Sequence, residues 1–171
     1  MDTKDLLIQI VGLIGAALGI LSYQFKDNRK YFAGQALSGL CFGFHFLLLG
    51  AYTGSLLNFI NLLRGFGFAV EKKKKPYVTF ITVSILYLAA TASTYDGGLS
   101  MLACAAQLVG SIGMFSRHPA GMRVLQFTLV SPAWMIYNGC VGSAGGIVCE
   151  AFNMTSIAVY FIRTKFLKSH S

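Results

Sequence analysis

The chain has 171 residues, 55% of them hydrophobic and only 12% charged, with a net charge of +8 and a mean hydropathy of +0.63. A soluble domain carries roughly 25% charged residues to face water, so a soluble globular domain is excluded. The basic excess does not describe a nucleic-acid surface either, because its charges sit at the ends of long apolar runs.

Those runs predict a helical membrane protein. A helix needs about 20 apolar residues to span the hydrocarbon, and seven such segments fill most of the chain. The first, 6–25, has only Lys4 ahead of it. It is longer than a signal core and ends in Ser22-Tyr23-Gln24-Phe25-Lys26 without a small-residue cleavage site, so it reads as an uncleaved span. Its Gly12, Gly15 and Gly19 predict close helix packing. The second segment, 31–50, carries His45, and the third, 53–70, carries Asn58, Asn61 and Arg64. The run Lys72 to Lys75 reads as a stop-transfer anchor in preference to a site for anionic lipid. Segments 77–94 and 99–116 follow. The sixth, 121–140, has Pro119 just before it and Pro132 inside it, where the second has Leu40. Pro132 predicts a kink that frees a carbonyl and serves as a hinge. The seventh, 143–163, carries Glu150 and Asn153. Strands of a membrane barrel would alternate apolar with polar residues, and these runs do not. Cys41, Cys104, Cys140 and Cys149 all fall inside apolar runs and read as packing residues, with no metal spacing and no disulfide framework.

With the N-terminus outside, the inner loops and tail hold Lys26, Arg29, Lys30, Lys72 to Lys75, Arg117, Arg123, Arg163, Lys165 and Lys168, which is twelve of the fourteen basic residues. Inner loops are the basic ones, so seven spans with the C-terminus cytoplasmic are predicted.

The chain also resembles itself. Gly19-Ile20-Leu21-Ser22 returns as Gly113-Met114-Phe115-Ser116 at a spacing of 94, while Gly50, Gly54 and Asn61 return as Gly142, Gly146 and Asn153 at 92. A two-residue shortening in the inner loop accounts for the difference. Asn58 then stands opposite Glu150, and His45 opposite Tyr137. Spans one to three thus repeat as spans five to seven, with the fourth as connector: a first repeat over 1–70, a basic loop and connector over 71–98, and a second repeat with its tail over 99–171. Three is an odd number, so the connector gives both copies one orientation, and such parallel repeats share an axis along the membrane normal.

This 3+1+3 plan resembles the SWEET and PQ-loop transporters. The chain is more closely similar to the YgjV-type family of bacterial inner-membrane proteins, through His45-Phe46-Leu47-Leu48-Leu49-Gly50-Ala51-Tyr52 in the first repeat. In the second, Trp134-Met135-Ile136-Tyr137-Asn138, Gly142-Ser143-Ala144-Gly145-Gly146 and Glu150 carry the resemblance. It implies the inner membrane and a SWEET-like all-α fold. The proline–glutamine signature of the SWEETs is absent, with Gln24-Phe25-Lys26 and His118-Pro119-Ala120 in its places, so the resemblance does not extend to sugar specificity.

An ionisable residue at the centre of a span costs roughly 2.5–3.5 kcal/mol, so such residues point to function. At helical spacing Ser143, Gly146, Glu150 and Asn153 share one face, and Gly54, Asn58, Asn61 and Gly65 form the matching face of span three. Trp134, Tyr137 and Asn138 on span six lie at similar depth to His45 on span two. Aromatic planes beside amides and a carboxyl suit a small polar or cationic solute. Asn58, Asn61, Trp134, Tyr137, Asn138, Glu150 and Asn153 are the candidate binding residues. Glu150 is the candidate for charge or proton coupling, with His45 as partner. The structural alternatives are interhelical glue for the asparagines, an aromatic belt for Trp134 and Tyr137, packing for His45, and a salt bridge from Glu150 to Arg64. Arg64 otherwise snorkels toward the inner surface.

No nucleophile–base pair, phosphate loop or metal spacing occurs, so neither enzymatic activity nor a cofactor or metal is expected. The expected partners are the lipid bilayer and a small-molecule solute, not nucleic acid. Both bundles lie in one chain, which allows a monomer. The function that follows is alternating-access transport. A non-transporting receptor with the same cavity is the alternative, and a lipid-interacting or assembly protein is a weaker third reading.

Overall fold

The computed structural model of the protein describes residues 2–22, 28–71, 76–116 and 118–169, with side chains in α2 from Ala33 and in α8 to Arg163. The helices are α1 (Thr3–Ser22), α2 (Asn28–Leu48), α3 (Tyr52–Val70), α4 (Tyr77–Ser93), α5 (Gly98–Ser116), α6 (Pro119–Leu125), α7 (Ser131–Val141) and α8 (Ala144–Ser169). A π-helical segment, Gln126–Val130, joins α6 to α7, so the described residues form seven rods at the seven expected segments. The last rod runs past 163 to Ser169, because no Gly or Pro interrupts it there.

Among the described residues three helical stretches are long and apolar enough on their own to cross a membrane: Thr3–Ser22, Gly98–Ser116 and Ala144–Arg163. Ala33–Leu48 and Tyr77–Ser93 are apolar but shorter. In α3 the polar Asn58, Asn61 and Arg64 dilute an otherwise apolar sequence. Burial departs from that of a soluble protein: polar side chains share the interior with an apolar cluster, and large apolar ones face outward. His45, Ser55, Gln107, Ser111, Ser131, Asn138 and Ser143 are buried, whereas Leu13, Leu63, Phe66, Ile81, Ile85, Leu88 and Ile136 are exposed. Outward-facing apolar side chains on successive helices need lipid around them. The basic residues that orient the chain by sequence, Lys26, Arg29, Lys30, Lys72 to Lys75, Arg117, Lys165 and Lys168, lie outside the described side chains.

Six of the rods close a ring. α1 packs on α2, α2 on α3, α3 on α5, α5 on the α6–α7 rod, α7 on α8, and α8 returns to α1. The fourth rod, α4, packs on α3 and α5. Small residues set the spacing of α1, as its glycine series predicts. A Cβ on Gly12, Gly15 or Gly19 would lie 2.8–3.0 Å from His45, Cys41 or Ser38 of α2. A Cβ on Gly145 would collide with the backbone of Gly12, so the α1–α8 seam is also closely packed.

Two tight turns precede α3 and α8. Gly50 has φ +75° and Gly142 φ +73°, a left-handed conformation that a side chain disfavours. The side chain of Gln9 on α1 serves the second turn, donating to the Gly142 carbonyl at 2.8 Å and accepting from the Ala144 N–H at 3.0 Å. This satisfies an N–H in the first turn of α8, which has no intrahelical partner.

Candidate functional site

The ring encloses a cavity of about 650 Å³, within the range of roughly 300–1,000 Å³ typical of small-molecule sites. The helix periodicity that sets Asn58 and Asn61 on one side of α3, and Glu150 and Asn153 on one side of α8, turns both stripes into its wall. α7 adds Trp134 and Asn138. Six of the seven residues predicted to bind solute therefore line one space.

Their polar atoms are partly engaged. The Asn58 amide nitrogen donates to the Gly54 carbonyl of its own helix at 2.9 Å. The Asn61 amide oxygen accepts from the Tyr87 hydroxyl of α4 at 2.7 Å. The Asn153 amide donates weakly to Glu150 at 3.4 Å. The amide oxygen of Asn138 is buried without a partner among the described residues. Trp134 stacks on Phe46 with 6.0 Å between ring centroids and meets the edge of Tyr137 at 5.2 Å, an offset packing favoured by the ring quadrupoles. It forms an apolar wall at the Asn138 end.

His45 and Tyr137 do not line the cavity; both tie helices together. His45 is fully buried, with Nδ1 2.8 Å from the Ile8 carbonyl and Nε2 2.8 Å from the Ser143 hydroxyl. A carbonyl only accepts, so Nδ1 donates to it, and in the neutral ring Nε2 accepts from Ser143. The Tyr137 hydroxyl accepts the Gly54 N–H at 2.9 Å, supplying a partner in the first turn of α3.

Glu150 and Arg64 both line the cavity, and among the described residues no salt bridge joins them. Arg64 turns to α5 and donates from Nη1 to the Gln107 amide oxygen at 3.0 Å. Its Nε is buried with no partner among the described residues. Glu150 instead faces the hydroxyl of Ser131, which accepts from the Gln126 amide at 3.0 Å. These contacts couple the carboxyl to both ends of the π segment. Pro132 follows directly. Within the segment the Ser131 N–H bonds to the Gln126 carbonyl five residues back, so the chain absorbs a proline by widening one turn. Deeper along α8, Tyr160 carries the guanidinium of Arg123 over its ring at 4.0 Å.

Gln107, Gln126, Ser131 and Arg123 are contributors that the sequence reading passes over as site residues. The first two carry the same signal as the asparagines, an amide within an apolar run, and could have been found by it. Among the described residues no cluster of three or more His, Cys, Asp or Glu could hold a metal, and the four cysteines are free.

Comparison with known proteins agrees with the lipid-facing surface. Over 144 residues the chain is 24% identical to the inner membrane protein YgjV of Escherichia coli (strain K12), a stretch covering 84% of this chain and 76% of that protein. No solved structure matches. Residues 6–168, a stretch that contains every cavity residue named above, match the family Imp-YgjV, bacterial inner membrane protein, and the chain belongs to that family of the bacterial inner membrane.

Proposed function

We propose that the protein carries a small polar solute across the inner membrane by alternating access, with the ring cavity as its binding site. The observation that carries this reading is the cavity itself: about 650 Å³ within a lipid-facing helical ring, walled by Asn58, Asn61, Asn138, Glu150 and Asn153. A carboxyl and several amides are costly to hold within a membrane and are commonly found where a solute or ion passes. The reading is of a seven-span, non-enzymatic protein with N-terminus out and C-terminus in.

Alternating access needs two halves that move against each other. The halves we propose are 1–70 and 99–171, joined by 71–98. Recurring hydrogen bonds support this division. Ala51 N–H to Phe46 carbonyl at 2.9 Å is matched by Ser143 to Asn138 at 2.9 Å, and Ser55 to Ala51 at 3.0 Å by Ile147 to Ser143 at 3.1 Å, both at the spacing of 92. In α1 and α5 the Ser22 hydroxyl donates to Gly19 at 2.6 Å, and Ser116 to Gly113 at 2.7 Å, at the spacing of 94. Exchanging α1 with α5, α2 with the α6–α7 rod and α3 with α8 carries the order of packing around the ring onto itself. Pro132 and the π segment are the proposed hinge. Glu150 faces the cationic or hydrogen-donating part of the solute, or takes a proton in its place.

The test is counterflow into proteoliposomes over a panel of sugars, amino acids, vitamins and cations. Flux of at least one class is expected, with Glu150→Gln slowing it roughly tenfold or more, as loss of a buried charged contact does. Ligand-dependent stabilisation without flux would assign the same cavity to a receptor. No flux and no stabilisation would end the proposal.

A further inference from the structure

The cavity holds a carboxyl and a guanidinium that do not meet. Glu150 is its carboxyl, and Arg64 is a guanidinium that, among the described residues, has one amide partner, Gln107, and an Nε with none. Both α3 and α8 begin beside α7, since Gly54 of α3 touches Tyr137 and Gly146 of α8 touches Asn138. Glu150 lies six residues into α8 and Arg64 twelve residues into α3. At a rise of 1.5 Å per residue their backbone positions are therefore staggered by about 9 Å along the ring. Asn61 and Asn153 line the stretch between them.

A half-buried guanidinium lining a cavity is answered best by an anion, and an amide oxygen replaces it only in part. Among the described lining residues Glu150 is the sole acid, and it sits at the other level. The second guanidinium, Arg123, already rests on the ring of Tyr160. One turn before Glu150, against Gly146, the group unsatisfied among the described residues is of the opposite kind, the amide oxygen of Asn138, an acceptor waiting for a donor. One end of the cavity lacks a donor or cation, and the other lacks an anion.

We propose that the solute is a zwitterion of the amino-acid kind, its carboxylate seated on Arg64 and Gln107 and its ammonium facing Glu150 and Asn138. The inference rests on the cavity being a solute site and sharpens it. A purely cationic solute would leave Arg64 uncompensated and meet its repulsion. A purely anionic one would do the same to Glu150. A zwitterion answers both, and the amides between the charges receive its polar middle.

Thermal stabilisation of the purified full-length protein tests this, with α-amino acids and longer ω-amino acids compared against their methyl esters, the matching amines and neutral sugars. Some zwitterions should stabilise the wild type, while their esters and amines should not. Affinity should fall roughly 30-fold or more in Arg64→Gln, the loss typical of a truncated buried charge pair, and recover in part in Arg64→Lys. Esters binding as well as acids, or Arg64→Gln binding as tightly as wild type, overturns the proposal. Because the acid–ester comparison uses the wild type, it decides even if Arg64→Gln does not fold. A sugar that binds through Glu150 while no zwitterion does would leave the cavity as a solute site and remove the zwitterion. Silence from every compound, together with absence of flux, removes both.

Discussion

At the scale of single residues, His45 and Tyr137 separate what a polar side chain is from what it does. Each stands on a helix beside the cavity, and each spends its polar atoms on the backbone or hydroxyl of a neighbouring helix. Tyr137→Phe removes the acceptor of the Gly54 N–H and leaves the ring packing in place. It should cost about 1–3 kcal/mol of stability, the penalty of an unsatisfied buried donor, while ligand affinity stays unchanged. Chemical denaturation in detergent and a binding isotherm read the two effects separately. Helical spacing in the sequence picks out the stripes of Asn58 and Asn61 on α3 and of Glu150 and Asn153 on α8, because periodicity alone fixes which side chains share a face. It cannot tell a residue that faces open space from one that faces another helix. That depends on partners such as Ser143 for His45 and Gln107 for Arg64, which lie 98 and 43 residues away.

At the scale of elements, the α6–α7 rod departs from a regular helix where Pro132 predicts that it should. A proline signals a lost backbone bond, and that much is legible in the sequence. The π form is not, because it is accompanied by the side-chain chain from Gln126 through Ser131 to Glu150, which no local pattern announces. Such segments often mark functional positions in helices. Pro132→Ala restores an N–H to this rod. It should raise stability by about 1 kcal/mol, a fraction of the ~3 kcal/mol that a mid-helix proline costs, since the widened turn already absorbs most of the strain. Flux should slow at the same time. Equal flux with higher stability would make the segment an accommodation of proline and nothing more.

At the scale of the whole molecule, hydropathy locates the seven rods of the described residues, yet among those residues only three stretches are long and apolar enough by themselves to cross a membrane. α3 falls short because three residues it turns to the cavity, Asn58, Asn61 and Arg64, are polar. The counting of basic residues predicts a cytoplasmic C-terminus. A fluorescent reporter fused after Ser171 should therefore glow, and alkaline phosphatase at the same point should stay inactive; the reverse pattern would invert the proposed orientation. The ring order itself is not written in the hydropathy, since closure of α8 on α1 depends on contacts such as that between Gly145 and Gly12.

The placement of α4 breaks the symmetry proposed for the ring. The seam between α3 and α5 has a rod laid over it, and Tyr87 of that rod reaches inward to hold Asn61. The equivalent seam between α1 and α8 has no such cover from α4 and is closed by bare glycine contact. The molecule is bound like a book, with a spine along one seam and a fore-edge along the other. In the proposed rocking of 1–70 against 99–171, the two halves would not part evenly: the spine would keep them in register, and the widest displacement would fall at the fore-edge, beside the turn that Gln9 clasps.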